Sequence, residues 1–293
     1  MRDIAMANRT SAILASLMAA DLIALPLEMS HAGDQRVSSS TRSEMWNDLK
    51  TDVYGSRAII EDTDIVAFTA PFRPDDQTAV PVQVKAKFKD GRTIKRITVI
   101  IDENPSPVAA DFDIGGQRSE VSLAAKFRLN RATNMRAVIE ASDGQLYMAS
   151  QFVRFAGGQA ACSAPPNGDP AEIAANMGKM RLQHEGATAS NAKPTIQSSS
   201  LRRAATLDIS HPNHTGMVLD QISLLYIPLR MVTDIEVSQG EDRVFAMKGS
   251  ISLAQDPSIK FDYRPNGSEK LRVKLRDSDE AIWKRDFPIG TSS

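Results

Sequence analysis

Phe155-Ala156-Gly157-Gly158-Gln159-Ala160-Ala161-Cys162-Ser163-Ala164-Pro165-Pro166-Asn167-Gly168-Asp169 divides the chain into two strand-rich halves and contains its only cysteine. Gly157 and Gly158 remove the Cβ restraint on φ/ψ, while Pro165-Pro166 and Asn167-Gly168 continue neither a strand nor a helix. The stretch therefore reads as a tether that holds Cys162 exposed and mobile between two domains. A mobile thiol is a handle for chemistry; an inert cysteine stranded in a linker is the competing reading of the same residues.

On the N-terminal side of the tether the apolar period is two. Val80, Val82, Val84, Ala86 and Phe88 alternate with mostly polar residues, Asp90-Gly91 signals a hairpin turn, and Ile94 to Ile101 returns. The pattern recurs from Val121 to Leu129 and from Met135 to Ala141, and Asp143-Gly144 turns into Gln145 to Phe155. Short strands with turn signals between them fit an immunoglobulin-type β-sandwich. Before them, Glu44 to Lys50 reads as a short helix and Gly33 to Ser43 as a Ser-rich linker.

On the C-terminal side, Asp169 is a helix cap with Pro170 at the first position, and Ile173, Met177 and Met180 keep helical spacing to about Gln183. Glu185 to Ser200 is rich in Ala, Ser, Thr, Asn and Gly and reads as an interdomain linker. A second set of strands is expected over Ala204–Ile209, Gln221–Ile227, Met231–Val237, Arg243–Lys248, Ser258–Tyr263, Lys270–Arg276 and Ala281–Phe287, with Asn266-Gly267 as a turn. The fold class is all-β: two immunoglobulin-like β-sandwich domains joined by a Cys-bearing segment, a short helix and a linker. Their spans are 33–156 for the first with its N-terminal helix, 157–200 for the joining segment and 201–293 for the second.

Residues 1–32 read as an export signal. Arg2 and Arg9 bracket the start, Ser11 to Ala20 is apolar, and Ser30-His31-Ala32 offers a small-x-small cleavage site before Gly33. Asp21 and Glu28 count against a membrane-spanning helix, so the mature chain is expected to be exported without membrane insertion. Export sharpens the reading of Cys162, because an oxidising compartment pairs thiols and a single cysteine has no partner within the chain.

The 293 residues carry a net charge of -1 and no basic tract, which argues against nucleic-acid capture. Neither a GxGxxG, a P-loop, an HExxH nor a CxxC occurs, so no cofactor is expected. His211 and His214 flank Pro212-Asn213 but lack an evident third ligand, so a solvated turn is expected and no metal. A Cys-His enzyme would need an imidazole held against Cys162, which a Gly-Gly tether does poorly. The tether brings no Lys, Arg or His of its own, so reactivity is expected from exposure and not from a lowered pKa.

Several of these segments resemble a known family. Val80-Pro81-Val82-Gln83-Val84, Asn104-Pro105-Ser106-Pro107 leading to Ala109-Ala110-Asp111-Phe112, and Ser142 to Ser150 ahead of Gly157-Gly158 and Cys162 resemble SoxY, the sulfur-carrier subunit of the periplasmic thiosulfate-oxidising system. Ser210-His211-Pro212-Asn213-His214-Thr215-Gly216-Met217 with Ile227-Pro228 resembles its partner SoxZ, and the order of the two is that of SoxYZ-like carriers associated with quinoprotein dehydrogenases. The resemblance implies a periplasmic, non-enzymatic carrier whose two domains pair within the chain. Cys162 would hold a sulfur-containing or similar small group, Gly157 and Gly158 would give the arm its flexibility, and the partners would be Sox-type oxidoreductases or a quinoprotein dehydrogenase system. The SoxY arm is a C-terminal Gly-Gly-Cys-Gly-Gly; here it is internal, Gln159-Ala160-Ala161 separate the glycines from the thiol, and Ser163-Ala164-Pro165 follow it. A structural or adhesive module without cargo is the alternative, and a Cys-dependent enzyme a further one.

Overall fold

Alternation of apolar and polar residues builds the strands around Val84 and Leu123, whereas those around Val99, Val138 and Met148 are buried over most of their length. The computed structural model describes residues 39–185 and 202–289. Helix α1 (Ser39–Tyr54) leads into β1 (Ile59–Glu61), β2 (Val66–Thr69), β3 (Val80–Lys87), β4 (Ile94–Ile101), β5 (Val108–Ile114), β6 (Glu120–Phe127), β7 (Thr133–Ala141) and β8 (Leu146–Val153). Val80, Val82, Val84 and Ala86 of β3 are buried and the residues between them face outward, as period two requires. The Ser-rich start is shorter than expected, because α1 already begins at Ser39. The export signal at 1–32 and nearly all of the linker over Glu185–Ser200 lie outside the described residues.

A short 3-10 turn over Ala161–Ser163 is followed by α2 (Pro170–Asn176), β9 (Met180–Glu185), β10 (Arg203–Ile209), β11 (Val232–Gln239), β12 (Asp242–Gly249), β13 (Ser258–Tyr263), β14 (Lys270–Asp277) and β15 (Ile282–Pro288). Asp169 caps α2 as expected, its carboxylate accepting from Ala171 N and Glu172 N. Two expectations are corrected. The helix stops at Asn176 and Met180–Glu185 is a strand paired with β10; Gly178, at φ +77, breaks the helix where an added Cβ would strike the Trp283 ring at 2.2 Å. Gln221–Ile227 is an exposed loop closed by a Leu219–Tyr226 bridge, because Asp220 ties its tip through Ile222 N and Ser223 N and no neighbouring strand receives it.

The strands form two sheets, and both run through both halves. One has nine strands in the order β1-β8-β7-β4-β5-β12-β11-β14-β15, the other six in the order β2-β3-β6-β13-β10-β9. At the seam, β5 pairs antiparallel with β12 from Phe245↔Ile114 to Gly249↔Ala110, and β6 pairs with β13 at Lys260↔Ala124 and Phe261↔Leu123. Phe112 packs on Phe245 (5.9 Å between centroids) and Phe245 on Phe261 (5.2 Å), so one aromatic column crosses the seam inside a continuous core. On the far side of the first half, Trp46 and Leu49 of α1 cover Ile100, Val138 and Met148, and Arg136, paired with Asp102 at 2.8 Å, lies 4.0 Å over the Trp46 ring.

The close approach at the seam fixes one residue type. A Cβ at Gly115 would lie 1.6 Å from the Arg243 carbonyl oxygen. Gly115→Ala is therefore expected to force β5 and β12 apart, at a cost of roughly 2 kcal/mol or more, measurable as a drop of several degrees in Tm.

Candidate functional site

Cys162 lies where the two halves meet. Its backbone N–H donates to Asn130 Oδ1 (2.8 Å), from the segment after β6, and its carbonyl accepts from Thr215 Oγ1 (2.5 Å), from the loop after β10. Farther along, Asn167 N donates to Gln255 Oε1 (2.9 Å) and Gln255 Nε2 donates back to Asn167 O (2.7 Å). The segment that reads as a free tether is thus strapped to both halves. Cys162 has no exposed surface, and this corrects the expectation of an exposed thiol. The reason is tertiary: Ala160-Ala161 and Ala164 are small and apolar enough to let the 3-10 turn sink against the seam, and its polar backbone groups find partners there.

Gly157 and Gly158 remain on the outside, at φ +94 and +93, with nothing within 4 Å of a would-be Cβ. Gly168 repeats that backbone state on the other side of the cysteine at φ +106. Left-handed φ costs glycine nothing, so the thiol is bracketed by positions where the chain turns freely.

The side chains holding Cys162 are themselves held. Asn104, from the Asn-Pro-Ser-Pro segment, donates to Arg128 O (2.8 Å) and Ser252 Oγ (3.0 Å), and its Oδ1 accepts from Asn130 N (3.1 Å). Asn213, at φ 48, donates to Leu253 O (2.6 Å) and accepts from Val232 N (2.9 Å), which positions the turn that carries Thr215. His211 and His214 do not form a solvated turn. His211 is buried, its Nδ1 accepting from Asn213 N (3.0 Å) and its Nε2 lying 3.6 Å from Asp277, and burial lowers its pKa to about 4. His214 is half-buried and also pushed below the usual range, by burial first and then by the Arg128 and Arg230 charges.

Burial pushes the Cys162 thiol from 9.0 up to about 11, with the Arg128 guanidinium opposing the shift. In the closed state the sulfur is a protected thiol, not a poised thiolate. Arg128, Asn130, Thr215 and Gln255 are the residues that sequence reasoning missed; Thr215 lay in a segment quoted for the family resemblance and Arg128 in one read only as a strand.

Two surface features complete the picture. A cleft of about 460 Å³ is lined by mixed charges including Arg96, Asp111, Glu236 and Lys274, and Cys162 is not in its wall. Two residues beyond Thr215, the loop exposes Met217, Leu219, Ile222 (95% exposed), Leu224, Leu225 and Tyr226, an apolar protrusion of a kind uncommon on a monomer surface.

Loosening the straps should expose the thiol. Thr215→Val and Asn130→Ala each remove about 1 kcal/mol of closure, so alkylation of Cys162 in the folded protein is expected to accelerate roughly five-fold per variant. An unchanged rate would show that these bonds do not gate access. The raised pKa has its own consequence: the protonated thiol contributes stability that is complete below pH 9.0 and is lost as pH rises through about 11. Urea unfolding is expected to show wild type losing roughly 2–3 kcal/mol across that window relative to Cys162→Ala.

A search of curated proteins finds no match to the chain. Among solved structures, the sulfur carrier protein SoxY from Chlorobium limicola f thiosulfatophilum is 26% identical, over 40% of this chain and 96% of its own, with a TM-score of 0.33. A superoxide reductase (neelaredoxin) from Ignicoccus hospitalis is 15% identical, over 36% of this chain and 90% of its own, with a TM-score of 0.25. Family models are the decisive comparison. Residues 50–160 match SoxY, described as sulfur oxidation protein SoxY, and residues 194–288 match SoxZ, described as sulphur oxidation protein SoxZ. Cys162 follows the end of the first match by two residues and precedes the second. The chain therefore joins a SoxY-family domain and a SoxZ-family domain, in that order, in one polypeptide.

Proposed function

We propose that the protein is a non-enzymatic sulfur carrier that holds a sulfur-containing or similar small group covalently on Cys162 and presents it to partner enzymes in the periplasm. The observation that carries the reading is the position of the only cysteine: it lies between the SoxY and SoxZ matches and is held by one hydrogen bond from each half. Loading is a thiol–disulfide exchange. The Cys162 thiolate attacks a sulfur of a donor S–S bond, a new Sγ–S bond forms, the donor bond breaks, and the departing thiolate keeps the electron pair; unloading is the same exchange onto an acceptor.

Presentation requires the closed segment to lift. The straps at Asn130, Thr215 and Gln255 are together worth on the order of 4 kcal/mol, an open fraction of roughly one in a thousand, and Gly157, Gly158 and Gly168 are the hinges. A thiol closed most of the time escapes adventitious oxidation between visits. The partners are Sox-type oxidoreductases or a quinoprotein dehydrogenase system, and the apolar loop beyond Thr215 is the surface they would contact. Among the described residues no helix is long and apolar enough to cross a membrane.

The complete burial of Cys162 favours one rival, a structural module in which the cysteine is core. Intact mass of protein isolated from its own source, before and after reductant, separates the two. A reducible adduct mapping to Cys162 is the expected result; a uniformly bare thiol, with unimpaired function in Cys162→Ser, would overturn the carrier reading.

A further inference from the structure

His211 is the only histidine in the buried class among the described residues, and its two ring nitrogens are in unlike states. Nδ1 accepts from Asn213 N (3.0 Å), so the neutral ring carries its hydrogen on Nε2. Nε2 lies 3.6 Å from Asp277 Oδ2, beyond hydrogen-bond reach, and has no other partner. Asp277 is already committed: its Oδ2 accepts from Arg230 Nε (2.8 Å), and its Oδ1 accepts from Asp279 N (3.0 Å) and Ala281 N (2.9 Å). Of the other groups around the ring, Arg230 ahead of β11 and His214 on the same turn both oppose a further positive charge. Asp256, ahead of β13, accepts from the His211 backbone N–H (3.0 Å), Arg128 reaches the neighbouring Pro212 carbonyl (3.4 Å), and the Trp283 ring of β15 stands edge-on at 6.4 Å. The imidazole is thus held neutral, with no carboxylate free to receive it as a cation.

A second proton can enter this ring only at Nδ1, where it replaces an acceptor with a donor. The new N–H would face the Asn213 N–H across 3.0 Å, and two donors hold no hydrogen bond between them. That bond lies at the base of a clamp on the Cys162 segment. Asn213 fixes the turn through Leu253 O and Val232 N, and two residues on Thr215 Oγ1 accepts from Met217 N (3.1 Å) and donates to the Cys162 carbonyl (2.5 Å). A charged, buried ring without a counter-ion is driven toward water, and the turn that carries Thr215 moves with it.

We propose that His211 is an acid-operated latch on the Cys162 segment: a proton added at Nδ1 breaks the bond to Asn213, the turn shifts, Thr215 leaves the Cys162 carbonyl, and the thiol becomes accessible. The direction follows from burial. The closed ring takes its proton only at about 4, against an ordinary 6.5, so the closed form holds fewer protons than the released one. Release is therefore favoured as pH falls below 6.5, and nothing more is gained below about 4. The inference rests on the carrier reading of Cys162, because it makes presentation of that residue respond to acidity through a side chain of the second half.

The test reads access to the bare thiol. Dithiodipyridine reacts with the Cys162 thiolate to form an Sγ–S–pyridyl disulfide, its own S–S bond breaking and thiopyridone leaving. The rate is measured on the folded protein and on the urea-unfolded chain at each pH, so that the ratio cancels the thiolate fraction and the reagent's own pH dependence. Between about pH 7 and about pH 5 the wild-type ratio is expected to rise roughly five-fold, the share of closure that one clamp hydrogen bond supplies. Thr215→Val has no such clamp to lose, and His211→Asn offers an amide oxygen to Asn213 N without titrating; both are expected to stay flat, while His214→Asn keeps the wild-type rise. A wild-type ratio that does not change between the two pH values, or one that rises as steeply in Thr215→Val, overturns the latch even if His211→Asn does not fold. Because the thiol is read without cargo, this result is independent of whether an adduct is found on Cys162, which decides the carrier reading separately.

Discussion

Backbone pairing across the seam is the constraint on which the rest of the structure depends. A sandwich half with open edges at β5 and β6 would present unpaired N–H and C=O groups to solvent, a template for unwanted association. Here β12 and β13 occupy those edges, and the Phe112–Phe245–Phe261 column fills the space between the sheets at the same place. Hydrogen bonding and apolar packing therefore act on one line, and Gly115 is small because the backbones meet there. Covalent fusion keeps the two halves at high effective concentration, so the seam need not assemble from separate chains.

Everything polar about the Cys162 site is built on that seam. Asn104 reaches from the first half to Ser252 of the second, Arg128 reaches Leu253 and Pro212, and Asn213 reaches Leu253. The result is a buried network in which most members are satisfied, and such networks hold one geometry because each broken bond strands a partner. Asn130 and Thr215 are the two members that face the 3-10 turn. The thiol is consequently placed by a rigid frame but attached by a segment with glycines at both ends.

Burial and charge act on the sulfur in opposite directions. Burial wins, and the closed thiol is protonated well past neutral pH. The Arg128 charge survives this balance because Arg stays protonated even when desolvated. A protected thiol differs from an activated nucleophile.

What the sequence by itself determined was the all-β class, most strand positions, the capped helix at Asp169 and the SoxY and SoxZ resemblance. The first three rest on information local to ten residues or fewer (alternation, turn pairs such as Asp90-Gly91, a cap followed by proline), and the resemblance rests on the order of several such segments along the chain. The misreadings share one cause. Met180–Glu185 satisfied a helical spacing of methionines yet became a strand because Gly178 must pass the Trp283 ring, and Gln221–Ile227 had strand-forming residues yet found no strand to pair with. Cys162 looked exposed because its neighbours are Gly, Ala and Pro; only the tertiary structure decided that it is buried, since Asn130 and Thr215 lie 32 and 53 residues away along the chain.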